Sequence, residues 1–172
     1  MARDITTAFN NAIKSTYVKP IFAIELEISD GTLRFWGGYG NLTMTAGGSS
    51  KTFTGTGDLL GFTNVSENST LQMSGITVSM TGIKSSLISS ILSADYTNRN
   101  GTLYMGLFDT SQNVIADVYT LFKGKMDVAN ISEGPETSIV TLNIESRLVI
   151  FDLPLNRFYT LEDQEVDFSG DL

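Results

Sequence analysis

The sequence predicts a mainly β fold, an antiparallel β-barrel or sandwich carrying two short helices. Three observations point there. Polar and apolar residues alternate in many short stretches, most clearly over Ser138–Ser146. There Ile139, Thr141, Asn143 and Glu145 would face one way and Val140, Leu142, Ile144 and Ser146 the other, the period of a strand. Glycines recur between these stretches and mark turns. The connections are hairpin-sized, which suits antiparallel pairing.

Taken in order, Asp4–Thr16 reads as a helix, because Ile5, Ala8, Phe9, Ala12 and Ile13 form one apolar stripe. Asp4 is the expected N-cap, and Lys14 lies near the C-terminal end, where the helix dipole favours a cation. Pro20 follows, and Val18–Ser29 turns to strand periodicity, with Ile21, Ala23 and Glu25 alternating against Phe22, Ile24, Leu26 and Ile28. Asp30-Gly31 is the strongest hairpin signal in the chain, returning through Thr32–Trp36. A glycine-punctuated run then predicts three short strands, centred on Leu42–Thr45, Lys51–Thr54 and Leu59–Val65.

Alternation resumes over Leu71–Gly82, with Leu71 and Met73 before Gly75 and Ile76, Val78 and Met80 after it, so a β-bulge is expected at Gly75. Ser85 or Ser86 would cap a second helix bearing Leu87, Ile88, Ile91 and Leu92 on one face, with Tyr96 beyond. Strands follow at Leu103–Phe108, Val114–Tyr119 and Thr120–Ala129, then a turn at Glu133–Glu136 and the strand starting at Ser138.

After Arg147 and the apolar run Leu148–Phe151, periodicity disappears. Pro154 lacks the N–H a ladder needs and holds Leu153 extended, so strand pairing is expected to end there. This divides the chain into a β domain, residues 1–152, and an extended C-terminal arm, residues 153–172. Leu153, Leu155, Phe158 and Tyr159 give the arm apolar side chains. They would either pack back on the domain or dock on a neighbouring subunit.

Composition narrows the chemistry. The 172 residues are long enough for one domain with its own core. The opening residues contain no long apolar run, so neither a secretory signal nor membrane insertion is expected. Cysteine and histidine are both absent, which removes disulfides, thiolate catalysis, zinc sites of the N/S kind and any imidazole-based triad. The net charge of −8 argues against a nucleic-acid binder.

Individual motifs are weak. Gly55-Thr-Gly57-Asp58-Leu-Leu-Gly61 misses the dinucleotide-binding spacing and has no Gly-Lys-Ser/Thr, so it reads as turns. Asp109-Thr-Ser-Gln-Asn113 with Asp117 offers oxygens of the kind calcium takes. It lacks the central Gly and closing Glu of an EF-hand, and hairpin turns favour the same residue types. Carboxylates for glycoside hydrolysis could be drawn from Glu25, Glu27, Asp58, Glu67, Asp95 and Asp127, yet nothing makes two of them converge. A solvated sheet face accounts for Glu25 and Glu27. Phe35, Trp36 and Tyr39, beside a glycine cluster, are the candidates for stacking on a sugar.

The order of the segments resembles a known family. A first helix leads into FAIELEISDGTLRFWGGYGNLT, followed by the TFTGTGDLLG hairpin at Thr52–Gly61 and the connection at Asn64–Glu67. GITVSMTGI (Gly75–Ile83), SSLISSIL, GTLYMGLFD (Gly101–Asp109), LFKGKMD (Leu121–Asp127), ESRL (Glu145–Leu148) and FYTLEDQ (Phe158–Gln164) complete it. Over nearly the whole chain this resembles the hub, or tail-tip, proteins of long-tailed bacteriophages and related gene transfer agents. The resemblance implies a tail-tube-like β-barrel and a structural role without catalysis or cofactor. The subunit would be assembled in the host cytoplasm into a virion ring, typically a homotrimer, between the distal tail protein and the central tip or fibre protein. DNA would pass through that ring without specific binding. Larger relatives carry cysteines for an iron–sulfur cluster in a C-terminal part; with no cysteine here, no cluster is expected. A lumen crossed by DNA should not be basic. Glu25, Glu27 and Asp30 in one hairpin, with Asp109 and Asp117 in another, are the candidate lining carboxylates. The alternative function is a carbohydrate-binding β-sandwich that recognises host-surface glycans through Trp36 and Tyr39.

Overall fold

Strand β1 (Lys19–Ile28) buries side chains on both of its faces, and the rest of the fold follows from covering them. The computed structural model describes residues 5–57, 59–65, 74–81, 94–114, 118–133 and 138–148. They contain one helix, α1 (Thr7–Ile13), and eight further strands: β2 (Gly31–Trp36), β3 (Asn41–Ala46), β4 (Ser49–Gly55), β5 (Leu59–Phe62), β6 (Gly75–Thr81), β7 (Asn100–Phe108), β8 (Tyr119–Glu133) and β9 (Ser138–Ser146).

All nine strands belong to one sheet, in the order β3-β4-β2-β1-β7-β8-β9-β6-β5. Ile24 and Leu26 on one face of β1 join Phe35, Leu103, Met126 and the inward rows of β6 and β9 (Ile76, Val78, Met80; Val140, Leu142, Ile144) in the larger core. Strands far apart in the sheet order share this core because the sheet rolls. Phe22 of β1 meets Phe62 of β5 edge-to-face at 4.8 Å, although β5 is the last strand in the order. No ladder joins the two end strands, β5 and β3, among the described residues, so the sheet stays open where a closed barrel was one of the expected forms.

The other face of β1 is covered by the β3–β4 hairpin. Ile21 and Ala23 pack with Met44, Ala46, Phe53, Tyr104 and Val118 in a second core. The hairpin turns through Gly47 and Gly48, with φ of +61° and +77°; the tight two-residue turn between Ala46 and Ser49 needs positive φ at both central positions. β4 then runs parallel to β2 for two residues, Phe35↔Thr54 and Trp36↔Gly55. This corrects the expectation of a wholly antiparallel sheet. Two glycine-rich segments approach closely enough here for parallel backbones to bond without a crossover helix.

Most predicted strands are present, with the alternation of β9 in the expected phase: Val140, Leu142 and Ile144 are buried. Several details differ. The β1–β2 turn is Ser29–Asp30, because Gly31 pairs with Ile28 as the first residue of β2. β8 is one long strand, whereas two were expected, and Val114 makes only an isolated bridge to Phe108. Gly75 begins β6 in unbroken register with Glu145, so the described part of that strand has no bulge; Leu71 and Met73 lie outside the described residues. The irregularities occur in β8, opposite Leu103/Tyr104 of β7 and between Met126 and Ala129. At the second, the Tyr96 hydroxyl accepts a hydrogen bond from the Ala129 N–H at 3.1 Å, satisfying a donor the interrupted ladder leaves over. The second helix expected after Ser85 and the arm, with all residues from 149 on, lie outside the described residues.

Helix α1 is shorter than expected and is capped by Thr6, whose hydroxyl accepts from the Phe9 N–H at 3.3 Å; Asp4 lies outside the described residues. Only Phe9 of the apolar stripe is buried within the helix, while Ala8 and Ile13 are exposed. A seven-residue helix depends on such local support. Thr6→Ala should cost about 1 kcal/mol of helix stability. Amide exchange at Phe9 and Asn10 should quicken while the global urea midpoint stays in place, because so little of the core rests on α1.

Candidate functional site

Glu25 marks the most unusual electrostatic environment among the described residues. It lies on the β1 face that the β3–β4 hairpin covers, and it is buried. Its cross-strand neighbour on β2 is Arg34, whose Nε donates to one carboxylate oxygen at 2.7 Å. Lys51, brought over by β4, donates to the other oxygen at 2.9 Å. The Lys51 ammonium also sits 5.7 Å from the centre of the Tyr104 ring, within cation–π range.

These contacts set the protonation states. Burial pushes the Glu25 carboxyl upward, but the hydrogen bonds and charges of Arg34 and Lys51 outweigh it and hold it below its ordinary value. Burial pulls Lys51 down, and the partnership with Glu25 and Tyr104 more than reverses this. Burial and the nearby Glu25 charge push the Tyr104 phenol up. The result is a half-dry, charge-compensated strut between the hairpin and the central strands. Glu25 is therefore not on a solvated sheet face, and its charge is spent within the subunit, which removes it from the carboxylates able to line a channel.

The remaining predicted carboxylates have other settings. Glu27, half-buried, accepts from the Asn100 side chain at 2.7 Å. Asp30 is exposed in the β1–β2 turn, where it accepts from the Ser29 hydroxyl. One oxygen of Asp109 accepts from the backbone N–H groups of Ser111 and Asn113, each at 2.8 Å, which is what an Asx-type turn requires. Asp117 lies outside the described residues, as do the arm residues Leu153, Leu155, Phe158 and Tyr159. The two hairpins expected to supply lining charges do not come together. Asp30 follows the Ile28 end of β1, whereas Asp109 lies just past Phe108, which pairs with Lys19 at its other end. Asp95 is paired with Arg99 at 3.4 Å, and Asp58 and Glu67 lie outside the described residues.

Trp36 and Tyr39 part company in the same way. The Trp36 indole N–H donates to the Gly40 carbonyl at 3.0 Å, and its ring meets Phe108 edge-on at 6.2 Å. The ring lies over Gly38 so closely that a Cβ there would fall 2.2 Å from ring carbons. Gly55 is equally constrained, since its Cβ would stand 2.1 Å from the Gly38 carbonyl oxygen. The glycine cluster thus exists to let two backbones and an indole stack. Trp36 is half-buried in that packing, while Tyr39 is 77% exposed, with its ring edge near Gly57.

One surface feature escaped the sequence reading. A groove of about 650 Å³ opens between the C-terminal end of α1, the start of β1 and the end of β7, with Ala12, Tyr17, Val18, Leu107 and Phe108 among its walls. Tyr17 is 74% and Val18 41% exposed. Tyr17 lies outside any periodic stretch and Val18 only opens one, so nothing in the pattern distinguished them. Arg34, by contrast, could have been found from the hairpin register opposite Glu25. Lys51 could not, since its contact spans two strands and a turn. Among the described residues no group of acidic side chains is arranged to hold a metal ion, and no helix is long and apolar enough to cross a membrane. No protein-family model matches the chain, and no curated protein matches it.

Proposed function

We propose that this chain is a structural subunit of a bacteriophage tail tip. In this reading it forms a hub ring, a homotrimer, that joins the distal tail protein to the central tip or fibre protein and continues the channel for DNA. The observation that carries the reading is the order of segments from the first helix through FYTLEDQ, which resembles that family over nearly the whole chain. The rolled sheet is compatible with a tube-like subunit, and the predicted lining carboxylates are reduced to Glu27, Asp30, Asp109 and Asp117. The work of such a subunit is assembly, so interfaces take the place of a catalytic centre.

Native mass spectrometry of the purified chain, with negative-stain images of the same sample, tests this. A closed trimer with a central hole is expected. The double substitution Leu155→Asp and Phe158→Asp should abolish the ring while leaving the urea unfolding midpoint unchanged. A chain that stays monomeric even with the distal tail protein added would overturn the reading.

A further inference from the structure

We infer that the groove beside Tyr17 and Val18 receives the Leu153–Tyr159 arm of a second copy of this chain. The ring reading enters only in closing the contacts into a circle; the groove and the polarity of the subunit stand apart from it.

The groove is a formed concavity with apolar walls from Ala12, Val18, Leu107 and Phe108. Its volume falls within the ~300–1,000 Å³ typical of pockets that bury a ligand. Ile13, Tyr17 and Val18, exposed within six residues of one another, flank or line it. Such a concentration differs from the single exposed apolar residues normal on any surface. The arm's sequence has the matching character, with Leu153, Leu155, Phe158 and Tyr159 as its apolar side chains. Charges match as well. Arg157 lies within the arm and Asp109 lines the groove; Glu162 and Asp163 follow the arm, and Lys19 lines the groove with Lys14 on the adjoining helix end.

The polarity of the subunit favours another copy as the occupant. Ser146 ends β9 opposite Gly124, which itself pairs with Gly101 at the start of β7. The groove lies at the other end of β7, where Phe108 pairs with Lys19. Phe108 is seven residue steps along β7 from Gly101, about 23 Å at ~3.3 Å per step. The chain therefore leaves the sheet at one pole, and the receiving groove opens at the other. A donor at one pole and an acceptor at the opposite one make a heterologous, head-to-tail contact, the kind that closes into rings.

The absence of cysteine makes the test clean. Full-length Val18→Cys and Phe158→Cys chains are mixed, allowed to exchange and mildly oxidised. A disulfide-linked pair containing one copy of each is expected to become the major species, with little linkage in either variant alone. Adding Val18→Asp to the wild-type chain, at a position exposed enough to leave the urea midpoint unchanged, should lower the oligomeric fraction at least tenfold. If a third chain carrying both Val18→Cys and Phe158→Cys links only within itself, the arm returns to its own groove and the inference is wrong. Val18→Cys linking to itself would signify a face-to-face dimer and overturn it too. A ring that forms without the mixed link would reject this groove and leave the ring reading intact. A monomer without the link would reject both.

Discussion

Phe53→Ala is expected to lower the stability of the chain by about 3–5 kcal/mol, the range for deleting a fully buried aromatic ring. Phe53 has no exposed surface and meets the Tyr104 ring edge-to-face at 6.1 Å. It is the largest side chain that β4 sends into the smaller core, and its neighbours there include the small Ala23 and Ala46, which cannot expand to fill the space. Urea unfolding at neutral pH should show a lower midpoint. The slope should change little if the hairpin stays docked and fall if it detaches, because less surface would then remain to be exposed. A loss below 1 kcal/mol would mean that the hairpin contributes little to holding the second core.

Glu25→Ala is expected to cost about 2–4 kcal/mol, from a loss that leaves two cations facing each other in a half-dry site. The lower end allows for Arg34, whose side chain keeps 32% of its surface exposed and so recovers some hydration. Glu25→Gln should cost less, since the amide oxygen still accepts one hydrogen bond, and it separates shape from charge. The pH dependence follows from direction alone. The Glu25 carboxyl is held below its ordinary value near 4.5 in the folded chain. Its contribution is therefore complete above pH 4.5 and fades as pH falls through the folded-state value. Lys51 is held above 10.5, so its share is complete below that pH and fades as pH rises through its own folded-state value. The gap in urea midpoint between wild type and Glu25→Gln should be widest near neutrality and narrow below pH 4.5. A gap that stayed constant to pH 3 would assign the effect to packing.

Local periodicity carried much of this fold. β9 is legible because alternation reports one covered face, and Asn41–Ala46 and Ser49–Gly55 because glycines bracket them. The β1–β2 hairpin was legible to within one residue. What escaped was the consequence of covering β1 twice. A strand with one face inside and one in water should place Glu25 in water, and only the β3–β4 hairpin, folded over from beyond a glycine-rich loop, reverses that. The same long-range fold creates the parallel β2–β4 contact. The capping of α1 by Thr6 was missed for a smaller reason: Asp and Thr both cap well, and the choice between them depends on where the chain enters. The groove went unseen because its walls come from an irregular segment and a strand end that meet only through the β1–β7 pairing.

That pairing has a consequence for the order of synthesis. Ile21, Phe22, Ala23, Ile24 and Leu26 leave the ribosome early, but the strand that covers their edge, from Gly101 to Phe108, is made much later. At ~5–20 residues per second, roughly eighty intervening residues take on the order of 4–16 s. Throughout that time β1, buried on both faces in the finished fold, has only β2 beside it and the β3–β4 hairpin to shelter one face. A nascent chain in this state is a natural client for holding chaperones, and crowding of many such chains on one message is the step at which this fold is most exposed to aggregation.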